Sequence, residues 1–239
     1  MKINTIGNVL DFRKTLSVII PTLNEGERIE GTISSVLKFV SEVIVVDGGS
    51  SDKTIVLAQK TGAKVFLSQR GRGTQLALGT KTAKSEWLLI LHADTVLEGG
   101  WLEEVSNFIE DKADNQAAVF QFALKDRNKL ARLIEKGVSL RCRFFSLPYG
   151  DQGLLINRNF LLELGGYRSV PIFEDVELVR RIGRKRLSLL NCHAVTSARK
   201  YQETGYVFRP VRNLFLLALY FLGIPPKFLE KNYDWFRNE

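Results

Sequence analysis

The sequence predicts an α/β fold: a mostly parallel, doubly wound sheet with helices on both faces. Three observations predict it. Short apolar runs alternate with helical stripes through the first half of the chain. The connections between them are short. Three of the runs end in polar clusters, at residues 22–25, 47–52 and 92–95. In an open sheet of this kind, ligands bind outside the carboxyl ends of the strands.

The elements follow in order. Residues 15–21 carry Leu16, Val18, Ile19 and Ile20 and end in Pro21, which reads as a first strand. After a polar turn, residues 27–40 repeat apolar side chains at Ile29, Ile33, Val36, Leu37 and Val40, a helical stripe. Residues 43–46 are a second buried strand running into Asp47 and the turn after it. Asp52 is placed to cap a helix over 53–61, and 63–67 is a third strand. A loop and helix over 71–84 lead to the apolar run 88–91, a strand that delivers His92 and Asp94 to the sheet edge. Asp94 there either binds a cation and phosphate or caps the next turn. A helix over 101–111 and a strand over 117–124 complete the regular half.

The second half is less regular. Residues 127–145 form a basic helix with Arg127, Lys129, Arg132, Lys136, Arg141 and Arg143. A turn at 150–153 precedes a short strand at 154–157. A helix over 159–164 is stopped by Gly165 and Gly166. Another helix opens at Phe173, Glu174 and Asp175. Strands are expected at 187–190 and 194–196. The apolar helix 208–222 ends before Pro225 and Pro226, and is too short to span a bilayer, which takes about 20 apolar residues.

With 239 residues, 45% hydrophobic and 25% charged, the chain has the composition of a globular protein with one or two domains. Its net charge of +8 favours anionic partners: a nucleoside diphosphate, nucleic acid or an acidic membrane. The basic helix lacks interleaved aromatics and any nucleic-acid reading motif, so no nucleic-acid partner is expected. Two cysteines, Cys142 and Cys192, without metal-type spacing argue against a disulfide framework and fit a reducing cytoplasm. The first fourteen residues show no signal-peptide architecture. The first strand is followed neither by G-x-G-x-x-G nor by a Walker A loop, nor by the glycine-rich basic loop expected of a sugar nucleotidyltransferase.

Taken together, SVIIPTLNE, VVDGGSSDKT, the HAD segment and the Phe173-Glu174-Asp175 motif resemble the family 2 glycosyltransferases, over roughly Leu16 to Arg186. HADT, GDQG, GGY, FEDVEL and TSAR resemble more closely a bacterial subgroup labelled for arsenosugar biosynthesis. The resemblance implies a GT-A fold over 1–200, with a nucleotide-binding half at 15–124 and an acceptor half at 125–200, and a C-terminal helix and tail over 201–239. It implies an inverting, metal-dependent sugar transfer from a nucleotide donor to an acceptor hydroxyl. The alternatives are a degenerate GT-A scaffold or a membrane-surface binding protein.

Residue by residue, the resemblance puts Thr22, Asn24 and Glu25 in the nucleotide pocket and Asp47 on the base. Arg72 and Gln75 would face the base or the diphosphate, with His92 in the same pocket. Asp94 would bind Mg²⁺ or Mn²⁺, a hard cation suited to oxygen ligands. Asp175 would be the general base with Glu174 beside it, although paired carboxylates at a helix start are also ordinary N-terminal charges. Asp151 and Gln152 would lie near the donor sugar or the acceptor. His92 stands where many relatives carry Asp, and Ala77 where they often carry Asn. His193 is either a late metal ligand or a strand-flanking histidine, and Arg199 and Lys200 either close over the diphosphate or are surface charges. The acceptor is a small or lipid-linked molecule. The tail, with Phe228, Trp235 and Phe236, either docks on the inner face of a membrane or packs on the core or on a second subunit.

Overall fold

The computed structural model describes residues 15–111, 115–145 and 147–234. Trp235, Phe236 and the first fourteen residues lie outside them. The chain runs β1 (Leu16–Thr22), α1 (Ile29–Val36), β2 (Glu42–Asp47), α2 (Thr54–Lys60), β3 (Lys64–Leu67), α3 (Arg72–Thr82), β4 (Trp87–Ile90), β5 (Thr95–Leu97), α4 (Trp101–Asp111) and β6 (Ala117–Lys125). It continues through α5 (Lys129–Phe145), a 3₁₀ turn (Gly150–Gln152), β7 (Leu154–Asn157), α6 (Arg158–Glu163), α7 (Glu174–Ile182), β8 (Leu187–Ser197), α8 (Arg199–Thr204), α9 (Phe208–Phe221) and α10 (Pro226–Asp234).

The eight strands form one sheet in the order β3-β2-β1-β4-β7-β6-β8-β5. The first four are mutually parallel. β2 and β4 are buried throughout and β1 nearly so because helices cover both faces, whereas the edge strand β3 is partly exposed. One core layer contains Ile33, Val36, Trp101 and Val105 against Val18, Ile20 and Leu89. The opposite layer contains Leu76, Phe160, Leu178 and Ile182 against Ile19, Ile44 and Leu88. Helix α3 approaches β1 so closely that a Cβ on Gly79 would lie 2.5 Å from Ile19 Cγ2.

One expectation needs correction, and other features were not foreseen. In the less regular second half, β7 runs antiparallel to β4 and β6. The strands expected at 187–190 and 194–196 are one strand, β8, whose partner β6 is irregular between Val119 and Gln121. Within β8 the polar Asn191 is exposed and His193 partly so, as befits a strand near the sheet edge. Thr95–Leu97, not expected as a strand, pairs antiparallel with β8. Helix α9 ends before Pro225 as expected, and Pro226 opens a further helix, α10, where its missing N–H costs nothing. Among the described residues, no helix is long and apolar enough to cross a membrane.

Candidate active site

The carboxyl ends of β2, β1 and β4 lie side by side, so the loops after them meet at one rim. The loop after β1 is fixed by the loop after β2. Asn24 adopts a left-handed conformation (φ 53°), and its Oδ1 accepts from Ser51 N at 2.9 Å. Asn24 N donates to Ser50 Oγ, and Glu25 N donates to Thr54 Oγ1. The N-cap of α2 is Lys53 rather than Asp52, but Asp52 just before it accepts from the first helical amide, Thr54 N, and its other oxygen accepts from Gly26 N.

Asp47 is fully buried, and four donors already occupy its carboxylate: Gly49 N, Ser50 N, Ser50 Oγ and Thr22 Oγ1. A base N–H would have to take the place of one of them. Gln75 departs from expectation. Its amide donates to Thr22 O and Val46 O, both at 2.8 Å, so both hydrogens join strand ends rather than facing a ligand. The 3₁₀ turn uses Gln152 similarly. Gln152 is buried, donates to Phe120 O, and accepts from Cys142 Sγ.

The loop after β4 holds the charged part of the rim. Asp94 is buried, and Lys200 Nζ sits 3.3 Å from it and 3.5 Å from Glu25. Burial pushes the Asp94 carboxyl up, but Lys200 and Arg72 together bring it below the usual range. Burial of the His92 ring, with Arg72 and Lys200 nearby, drives its pKa down to about 3, so the ring is neutral. It faces Gly150, where a Cβ would lie 2.7 Å from His92 Nε2 and 3.3 Å from Asp175 Oδ2. Gly150 N donates to that same Asp175 oxygen at 2.6 Å. One cleft is lined by Arg72, His92, Tyr149, Gly150, Glu174 and Asp175.

Glu174 opens α7 and pairs with Arg72 at 3.1 Å. Its burial outweighs Arg72 and raises the carboxyl pKa. Burial also raises Asp151, to about 6, with Asp175 and Asp94 adding to the rise and Arg141 and Arg72 opposing it. Phe173, just before Glu174, is left-handed (φ 63°). Its ring rests on Tyr220 of α9 at 5.2 Å, and Ile172 packs with Leu216 and Leu229.

Glu25, Arg72, His92, Asp94, Asp151, Glu174 and Asp175 thus share one charged neighbourhood. Thr22, Asn24 and Asp47 form its hydrogen-bonded shoulder. His193 is elsewhere, with Nδ1 2.7 Å from Glu98 Oε2. Lys200 is the central residue that the sequence left undecided, and its position just past the end of β8 was the available signal. Among the described residues no three His, Cys, Asp or Glu side chains gather into a metal-binding group. Asp94 fits a hard cation that takes its remaining ligands from a diphosphate and water, as Mg²⁺ commonly does.

A sequence model described as glycosyl transferase family 2 matches residues 17–165. The chain is 30% identical over 175 residues to an uncharacterized glycosyltransferase of Rickettsia bellii, covering 71% of this chain and 56% of that protein. It is 31% identical over 137 residues to the poly(ribitol-phosphate) beta-N-acetylglucosaminyltransferase TarP of Staphylococcus aureus, covering 52% of this chain and 42% of that one. The chain spans about half the length, or less, of these curated relatives. Its fold is similar to glucosyl-3-phosphoglycerate synthase from Mycobacterium tuberculosis, solved with Mn²⁺, uridine diphosphate and phosphoglyceric acid. That match has a TM-score of 0.62 and 18% identity, over 92% of this chain and 84% of that one. The TM-score is 0.59 to S. aureus TarS 1–349, with 19% identity over 85% of this chain and 64% of that one. With its residues 17–165 matched, the chain belongs to glycosyl transferase family 2.

Proposed function

We propose that the chain transfers a sugar from a nucleoside diphosphate donor to an acceptor hydroxyl, with inversion and with a divalent cation. The observation that carries this reading is the single charged neighbourhood joining Asp94, Lys200 and Glu25 to Arg72, Glu174 and Asp175. The segment 15–124 is the nucleotide-binding half and 125–200 the acceptor half, with the helices from 201 onward packed against the latter. The motif set HADT, GDQG and FEDVEL supports placement in the subgroup labelled for arsenosugar biosynthesis.

The nucleoside lies on the shoulder of Thr22, Asn24 and Asp47. Arg72 and Lys200 meet the diphosphate, exchanging their present carboxylate partners for phosphate oxygens. A bound Mg²⁺ or Mn²⁺ at Asp94 would neutralise the leaving diphosphate. Neutral His92 leaves Asp94 as the anionic ligand of that segment. Asp175 accepts the proton of the acceptor hydroxyl as the oxygen attacks the anomeric carbon and the bond to the diphosphate breaks. Glu174 holds Arg72 in place until the donor arrives, and Asp151 hydrogen-bonds a sugar hydroxyl.

Incubation with UDP- and GDP-sugars plus Mn²⁺, reading nucleoside diphosphate release, tests this. Release that is lost in a folded Asp94→Ala variant supports the cation role, and unchanged turnover defeats it. Nucleotide binding with no release under any acceptor would leave a degenerate scaffold.

A further inference from the structure

We propose that the outer faces of α5 and α9 together form a docking surface for an anionic lipid bilayer. Helix α9 packs inward through Leu216 and Leu217. Its outer arc carries Val207, Val211, Leu214, Phe215 and Leu222, with Leu214 and Phe215 exposed by 62% and 61% and Leu222 by 80%. On a 3.6-residue wheel these fall within one sector that holds no charged residue. An exposed, contiguous apolar face of this kind marks an interaction surface.

Helix α5 repeats the pattern with charge added. Ala131 is buried, and Ile134 and Val138 pack with it against Phe122 and Leu124. Leu130, Leu133, Leu140 and Phe144 lie exposed on another side, Leu133 by 65% and Phe144 by 62%. Along one flank of that stripe run Lys129, Arg132, Lys136 and Arg143, all exposed. Glu135, the one acidic residue of the helix, is turned away, with its carboxylate on Arg132 and on Leu124 N. Apolar side chains bordered by long basic ones suit a helix lying in a bilayer interface: the first enter the acyl boundary and the second reach the headgroups.

The two helices start from one corner of the molecule. Asp126, just before α5, accepts from Gln202 and from the Tyr206 hydroxyl, just before α9. Arg209 of α9 lies over the Tyr201 ring at 5.4 Å. The basic row decides the occupant. A second copy presenting the same α5 face would bring like charges together, whereas anionic headgroups complement them.

The test is co-sedimentation of the full chain with vesicles of phosphatidylcholine, with and without phosphatidylglycerol. The expected result is binding to the phosphatidylglycerol vesicles that weakens with salt. Binding should fall about tenfold or more in a Leu214→Glu, Phe215→Glu variant. It should fall similarly in a Lys129→Gln, Lys136→Gln, Arg143→Gln variant. All these positions are exposed, and far-UV circular dichroism with thermal melts verifies that the variants fold. Failure to sediment with anionic vesicles overturns the proposal. So does equal binding to both vesicle types, or a dimer in light scattering that the Leu214→Glu, Phe215→Glu variant disperses while vesicles go unbound.

Discussion

The two edges of the parallel half treat buried carboxylates differently. At the amino edge Glu42, which opens β2, has every demand met. Its carboxylate accepts from Ser17 Oγ, Lys84 N and Lys64 Nζ at 2.7–3.0 Å. At the carboxyl edge and in the loops facing it, buried carboxylates are held by cationic side chains instead: Glu174 by Arg72 at 3.1 Å, and Glu25 by Lys200 at 3.5 Å and Arg28 at 3.7 Å. Such cations can leave a carboxylate for a phosphate, so on the function proposed above these pairs would open to the donor. Asp47 is the instructive exception. It lies on the carboxyl edge yet is as fully partnered as Glu42, and it serves to shape the loop. On the function proposed above, one edge serves stability and the other an occupant.

The sharpest way to break this contrast is Asp175→Asn. We expect nucleoside diphosphate release to fall about a thousandfold, the order expected for a general base, with little change in melting temperature. A rate within a few-fold of wild type would remove Asp175 from the chemistry. Glu42→Ala should do the reverse. It strands the Ser17 hydroxyl and the Lys84 amide, and we expect about 2–3 kcal/mol less stability by denaturant titration. Turnover per folded molecule should be unchanged.

Two smaller effects sharpen the contrast through pH. Asp151 has its pKa raised to about 6 from an ordinary 3.8, so the folded state binds the proton more tightly than the unfolded chain. Stability should therefore decline as pH rises between those values, by about 2 kcal/mol after discounting for its partial exposure to solvent. Asp151→Asn should abolish the decline. Glu42 is held below its ordinary value because its three hydrogen-bond donors together outweigh burial. Its contribution should be complete above the usual glutamate range and be lost as pH falls through the lowered value. The smallest effect is expected of Gln75→Leu, which leaves the Thr22 and Val46 carbonyls without their donor. We expect a loss of about 1–2 kcal/mol, read as a lower melting temperature with nucleotide affinity nearly unchanged. A loss of affinity larger than the loss of stability would return Gln75 to the ligand.

Much of the molecule was legible in the sequence because buried parallel strands are plain apolar runs. Residues 88–91 and 154–157 needed nothing more, and helix 101–111 was bounded correctly by its amphipathic period. The convergence of residues 22–25, 47–52 and 92–95 followed from the strand direction alone. The rest depended on partners distant in sequence. Nothing local to Gln75 says that its amide bridges two strands 29 and 53 residues away. The same holds for Lys200, which reaches back 106 residues to Asp94. The pairing of Thr95–Leu97 with β8 was equally hidden, since a three-residue strand carries no period of its own.

Phe173 has one more consequence. A bulky residue pays roughly 1 kcal/mol or more to sit in the left-handed region, and here the aromatic face of Tyr220 holds it there. The neighbouring acidic pair therefore takes its aim from the periphery of the molecule. The same helix presents Tyr220 inward and Leu214 and Phe215 outward, so one element spans from the proposed docking face to the residue that precedes Glu174 and Asp175.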